Sequence, residues 1–244
     1  MKKTLLISGG SNGIGKACVE LFLENNWQVF NLDIQKPKNN LDVWIKCDLT
    51  DTKQIKHVIR LLKTKTSSID CLISNAGKHL SKTIEETTDQ LFNHILNLNL
   101  KASFMLIRES LPLLKKAPYS SIIAIGSDQS TIAKANSAIY GLTKAAISQL
   151  MKSLAIDYAK DNITANCIAA GTIDTPLYQN AIKVYSEKSG MPLEKINQEE
   201  AAQQLVNRIG KPEEIAAFAF FLASENARFI TGATLACDGG YTAR

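Results

Sequence analysis

With 244 residues, 45% hydrophobic and 21% charged, the chain is long and apolar enough for one domain around a sheet buried on both faces, which excludes a disordered protein. A formal charge of +5 without a long basic block argues against nucleic acid binding, because Lys36, Lys38, Lys63, Lys65, Lys115 and Lys116 read as solvated loop or helix-end residues. Cys18, Cys47, Cys71, Cys167 and Cys237 form no C-x-x-C pair, and His57, His79 and His94 have no ligand spacing. Buried thiols, no disulfide, no metal site and ordinary polar or surface histidines are therefore expected. Met1-Lys2-Lys3 leads straight into a strand pattern, so the expectation is no signal peptide, no membrane span and a cytoplasmic location.

The first strand is expected near residues 3–8, and Gly9-Gly10-Ser11-Asn12-Gly13-Ile14-Gly15 follows it and opens an amphipathic run over 16–24. Strand, glycine turn and helix in that order suit a pyrophosphate, since glycines permit positive φ and close backbone approach while the helix N-terminus offers free N–H groups. The spacing is G-x-x-x-G-x-G rather than the common G-x-G-x-x-G, and a turn built only for close packing is the other reading. A second strand near 27–33 ends on Asp33, eighteen residues after Gly15. A carboxylate there can accept from both ribose hydroxyls and repels a 2′-phosphate, which favours NAD over NADP; a strand-end turn residue is the alternative. Neither Asn12 nor Ile34 supplies a cation for a phosphate, although Lys36 and Lys38 lie close by.

Further strands are expected near 42–47, leading to Asp48-Leu49, and near 70–74, leading to Asn75-Ala76-Gly77. Asn99, in Leu98-Asn99-Leu100, sits in a helical stretch where asparagine has no propensity advantage, as a buried polar group in a bent helix would. The strand near 119–126 runs into Ser127, and Tyr140-Gly141-Leu142-Thr143-Lys144 follows thirteen residues later. Tyr140 and Lys144 at i and i+4 emerge on one helix face. A free tyrosine titrates near pH ~10, so base catalysis at neutrality needs the ammonium and a second positive charge to stabilise the phenolate by about 4 kcal/mol. A bound nicotinamidium could be that second charge.

The helix over 137–160 should face the sheet through Ile139, Leu142, Ala146, Ile147, Leu150 and Leu154, leaving Ala138, Gly141, Ala145 and Ser148 for close helix contact. Strands near 163–168 and 233–237 complete the pattern. Between them, 174–210 is rich in Lys, Glu, Gln and Asn with Tyr178 and Tyr185, and reads as a substrate lid or a solvated pair of surface helices. The alternation of strands and helices implies an α/β fold with a parallel sheet. Gly9, Asp33, Asp48, Asn75, Ser127 and Gly171 all fall at strand ends, where such sheets bind ligands.

In this order the segments resemble the short-chain dehydrogenase/reductase family nearly end to end. The resemblance implies a single-domain Rossmann-type doubly wound parallel sheet of about seven strands, helices on both faces, spanning residues 1–244. It implies cofactor contacts from Gly9, Ser11, Asn12, Gly13, Ile14, Gly15, Asp33, Asp48, Leu49, Asn75, Ala76, Gly77, Tyr140, Lys144, Gly171, Ile173 and Thr175. It also implies a catalytic set. Tyr140 exchanges the hydroxyl proton, Lys144 lowers the tyrosine pKa and holds the nicotinamide ribose, Ser127 donates to the substrate oxygen, and Asn99 anchors a water relay behind Lys144. Ser74 replaces the first asparagine of the family's N-N-A-G turn, and serine can still bond neighbouring backbone. Ala170 replaces the proline of its N-x-x-x-P-G segment, which implies a less rigid loop. Gly232 and Asp238-Gly239-Gly240 match its C-terminal strand, and a homo-oligomer, tetramer or dimer, is implied.

The expected activity is NAD-dependent interconversion of a secondary alcohol and a ketone, with a small-molecule substrate. Asp128 and Gln129 either point into the site, which suits a sugar, polyol or hydroxy acid, or cap the adjoining turn. The alternatives are a 3-oxoacyl-acyl-carrier-protein reductase, which the 166–240 half also resembles but which usually takes NADPH, and a non-catalytic NAD-binding redox sensor. The sensor's signature would be loss of Tyr140, Lys144 or Ser127, and all three are present.

Overall fold

The computed structural model describes residues 2–38 and 43–243. Among the described residues seven strands form one sheet: β1 (Thr4–Ser8), β2 (Gln28–Asp33), β3 (Val43–Lys46), β4 (Cys71–Ser74), β5 (Ser120–Ile125), β6 (Ile163–Ala170) and β7 (Thr234–Cys237). All neighbours pair in parallel, in the order β3-β2-β1-β4-β5-β6-β7. Each overlaps an expected strand; of the third, Asp42 lies outside the described residues.

Alternate strand residues supply two cores because successive side chains point to opposite faces. Leu5 and Ile7 of β1, Ile73 of β4 and Ile123 of β5 pack under α1 (Gly13–Glu24) and α8 (Pro212–Leu222), where Phe22 meets Trp27 edge-on at 4.9 Å. Leu6, Leu72 and Ile122 face the other way, under α2 (Thr52–Leu62), α4 (Ala102–Leu114) and α5 (Ala138–Asp157). These helices bury whole side chains such as Ile55, Leu106 and Met151. Among the described residues, no helix is long and apolar enough to cross a membrane. Strand order reverses between β1 and β4, and the crevice beyond their carboxyl ends is where such sheets take ligands.

Two expectations need correction. Helix α5 buries Ile139, Thr143, Lys144, Ile147, Ser148, Met151, Leu154 and Ala155, whereas Leu142 is 52% exposed. The inward face is turned toward the polar residues of the site, which a purely apolar stripe cannot reveal. Ser148 is on that face, bonded to Thr234, so it does not share an outer face with Ala138 and Ala145. Ala170, in the place of the family's proline, closes β6. That residue pairs with Cys237 and the Gly171 N–H donates to the Cys237 carbonyl at 3.1 Å, so the ladder runs to the start of the loop.

Candidate active site

The glycine turn is shaped by backbone that a side chain would block. Gly9 and Gly13 have φ of 69° and 53°. A Cβ on Gly15 would lie 2.1 Å from the Gly9 carbonyl oxygen and 2.6 Å from Asn75 Nδ2. No side chain caps the first turn of α1 and no acidic residue stands in it, so its N-terminal N–H groups and dipole suit an anion such as a pyrophosphate. Asp33 accepts from the Ser11 N–H at 3.0 Å and the Gln35 N–H at 2.9 Å, which fixes its carboxylate beside the turn. Ser11 donates to the Gln35 carbonyl and Asn12 to the Gln35 side chain, both at 2.7 Å.

The brace of this turn is Asn31, which the sequence reading did not single out. Wholly buried in β2, it accepts from the Gly10 N–H at 2.9 Å and donates to Ser11 Oγ at 3.2 Å. Its signal was a polar residue inside the apolar run Val29-Phe30-Asn31-Leu32. Asn31→Leu strands the Gly10 N–H, so a stability loss of about 1–3 kcal/mol and weaker dinucleotide binding are expected. Urea unfolding and calorimetric titration check this, and unchanged values in both would dismiss the brace.

Beside the turn, Asn75 donates to the Gly9 carbonyl at 2.8 Å, while its own N–H and that of Ala76 donate to Ser8 Oγ. Ser74 bonds not to neighbouring backbone but to Ser103 Oγ at 2.8 Å, and Ser103 donates on to the Asn99 carbonyl. Asp48 is exposed and accepts from the N–H and hydroxyl of Thr50, whereas the Leu49 side chain belongs to the core. Across the crevice, Thr175 caps α6 (Pro176–Ser189) and its Cγ2 lies 3.2 Å from where a Gly13 Cβ would be. That contact lays the 172–176 loop against the glycine turn. Ile173 bridges to Gly210, and a Cβ on Gly171 would meet Asp238 Cα at 2.7 Å.

Asn99, Ser127, Tyr140 and Lys144 converge next to this cradle. Asn99 sits in a π-helical stretch (Leu96–Lys101) between α3 (Asp89–Ile95) and α4, and clamps Lys78 by accepting from its N–H at 2.9 Å and donating to its carbonyl at 3.0 Å. A Cβ on Gly77 would come within 3.3 Å of Asn99 Oδ1 and 3.8 Å of Lys144 Nζ. Lys144 is buried and donates to the Ile125 carbonyl at 2.8 Å, which leaves its ammonium 5.5 Å from the Tyr140 ring centre. Burial lowers its pKa to about 8. Tyr140 is pushed up to about 12 by burial, with Asp128 adding to the rise and Ser127 opposing it. The Lys144 ammonium thus stands over the Tyr140 ring while its hydrogen bond goes to strand β5 rather than to the phenol oxygen.

His79 was expected to be an ordinary polar residue, yet its ring packs edge-on against Tyr140 at 4.8 Å and its Nε2 lies 3.4 Å from Ser137 Oγ. Burial, then Lys134, lowers its pKa, and Asp128 opposes them. It arrives from the loop after β4, 61 residues before Tyr140, and nothing local marks it.

A family model described as "Enoyl-(Acyl carrier protein) reductase" matches residues 9–242. L-fucose dehydrogenase of Mus musculus is 34% identical over 246 residues, covering 98% of this chain and 88% of that protein. A solved short chain dehydrogenase family protein from Francisella tularensis subsp. tularensis SCHU S4 is 38% identical with a TM-score of 0.95, and all of both chains is covered. The chain belongs to the short-chain dehydrogenase/reductase family. Other solved chains similar to this short-chain dehydrogenase/reductase include ligand-free aldohexose dehydrogenase of Thermoplasma acidophilum, at 34% identity and TM-score 0.95, covering 100% and 95% of the two chains. ElxO with NADP bound is 28% identical with a TM-score of 0.89 and full coverage of both.

Proposed function

We propose that this short-chain dehydrogenase/reductase, an oxidoreductase acting on CH–OH, uses NAD to interconvert a secondary alcohol and a ketone in a sugar, polyol or hydroxy acid. The observation that carries the reading is the meeting of Tyr140, Ser127, Lys144 and Asn99 beside a glycine cradle too tight for any side chain at Gly15. The nicotinamide, when bound, accepts or returns the hydride. The cradle residues Gly9, Ser11, Asn12, Gly13, Ile14 and Gly15 and the flanking Asn75, Ala76, Gly77, Gly171, Ile173 and Thr175 hold the dinucleotide, with Asp48 and the Leu49 backbone at its adenine end. Tyr140 takes or returns the hydroxyl proton, Ser127 steadies charge on the substrate oxygen, and Lys144, backed by Asn99, holds the nicotinamide ribose.

Asp33 favours NAD, because its fixed carboxylate repels a 2′-phosphate. A sugar is supported by the names of two relatives, L-fucose dehydrogenase and aldohexose dehydrogenase. An acyl thioester is the competing class, favoured by the description of the matching family model. Residues 174–210 act as the lid: α6 and α7 (Leu193–Gln203) are tied by Tyr178 donating to Asn197 at 2.8 Å, and α7 buries only Ile196. Phe104 and Leu142, about half exposed on α4 and α5, form the face for self-association into a dimer or tetramer. The buried thiols Cys18, Cys47, Cys71 and Cys167 suit a reducing cytoplasm.

The test is NADH formation on a panel of sugars, polyols, hydroxy acids and simple alcohols, repeated with NADP, together with reduction of ketones and acyl thioesters. We expect kcat/KM with NAD to exceed that with NADP by about tenfold or more, the effect of one close charge repulsion. A preference for NADP removes the Asp33 reading. Failure of both cofactors in both directions favours an NAD-binding sensor.

A further inference from the structure

Asp128, next in the chain to Ser127, is only 2% exposed. Its Oδ1 accepts from the Ser127 hydroxyl and from the Gln129 N–H, both at 2.7 Å, so its carboxylate caps the turn rather than facing substrate. Its Oδ2 lies 2.8 Å from Lys134 Nζ, and that ammonium stands 4.4 Å from the centre of the Tyr241 ring. A buried carboxylate beside a proton-transfer site is costly, and it opposes any negative charge that must form nearby. Lys134, itself only 26% exposed, is the counter-charge at this carboxylate.

We propose that Lys134 is a positioning residue for the reaction: its ion pair with Asp128 holds in place the carboxylate that borders Ser127 and shields the Tyr140 phenol from the Asp128 charge. The inference rests on Tyr140 being the acid and base. The charged and titratable groups around that phenol come from three places: Asp128 follows β5, Lys144 lies on α5, and His79 comes from the loop after β4. Lys134, which precedes α5, reaches the phenol through its pair with Asp128 and also acts on His79. Cys167 of β6 lies behind Lys144, and Tyr241 lies beyond Lys134.

Signs follow directly. In Lys134→Met the bare Asp128 charge favours protonated Tyr140 and protonated His79. The rising alkaline limb of kcat/KM for oxidation should move up by about one pH unit, which is about a tenfold loss at fixed pH on that limb. kcat should carry the loss, with KM little changed. The His79 ring resonance, assigned with His79→Gln, should titrate at higher pH by NMR, a readout that needs no turnover. Asp128→Asn should move the limb down, and Asp128→Asn/Lys134→Met should return both limb and His79 toward wild type. The limb shift should persist in a His79→Gln background, which separates it from the imidazole's own titration.

An unmoved limb in Lys134→Met, a rise in KM alone, or a double variant as displaced as Lys134→Met overturns the proposal. If Lys134→Met does not fold, the contrast between Asp128→Asn and the double variant decides in the same way. Should Tyr140→Phe retain turnover, the acid/base reading fails, yet the His79 titration still reports whether Lys134 screens Asp128. Loss of turnover in Tyr140→Phe with no Lys134 effect sinks the shielding alone.

Discussion

Tyr140→Phe is expected to lower kcat for alcohol oxidation and ketone reduction by about 10²- to 10⁴-fold, the usual contribution of a positioned acid or base. The substitution removes one oxygen and leaves the ring, whose edge-on packing with His79 at 4.8 Å remains. Melting temperature and NADH affinity should therefore stay close to wild type. The pH dependence supplies a second signature. With Tyr140 as the proposed base, oxidation draws on the phenolate, and burial holds the Tyr140 pKa up, to about 12. Below the phenol's pKa in the working complex, the oxidation rate should climb about tenfold per pH unit, while reduction, which uses the phenol, should not climb. In Tyr140→Phe the climb should disappear. A variant that keeps both its rate and its alkaline limb would mean that another group, His79 being nearest, moves the proton.

Much of the candidate site's layout was legible in the chain because parallel sheets gather their strand ends along one rim. Gly9, Asp33, Asn75, Ser127 and Gly171 each follow or close a strand that apolar runs such as Leu5-Leu6-Ile7 announce. What escaped notice depends on contacts between distant segments. Asn31 reads locally as a blemish in a strand, and its purpose appears only when the Gly10 N–H lies against it. His79 and Lys134 have no motif of their own; the loop after β4 and the segment before α5 bring them to Tyr140 and Asp128. Leu142 was misplaced for a related reason. The inward face of α5 carries Thr143, Lys144 and Ser148, so apolar periodicity misplaces the face where the site lies. The electrostatics were least legible. An i,i+4 spacing brings Lys144 to the correct helix face, but the carbonyl of Ile125 decides where its ammonium points.

Gly15→Ala is expected to abolish measurable NAD binding and to cost about 1–3 kcal/mol of stability or more, the range for overpacking. The added methyl would stand 2.1 Å from the Gly9 carbonyl oxygen, and backbone cannot swing aside as a flexible side chain does. Either Gly9 gives up its place, with the bond from Asn75 to its carbonyl, or the first turn of α1 tilts away from β1. Both movements displace the N–H groups that would hold a pyrophosphate. Gly141→Ala separates this from a general penalty on glycine loss. There the new Cβ would meet its nearest neighbours, the Gln129 carbonyl and side chain, at 3.7 Å, which is ordinary contact. Inside a helix that exchange should stabilise by up to about 1 kcal/mol. Calorimetric NAD titration and urea unfolding of the two variants side by side check both signs. If Gly15→Ala binds NAD as wild type does, the turn relaxes without loss and its tightness serves packing; if binding disappears while most of the stability survives, the glycine is there for the dinucleotide.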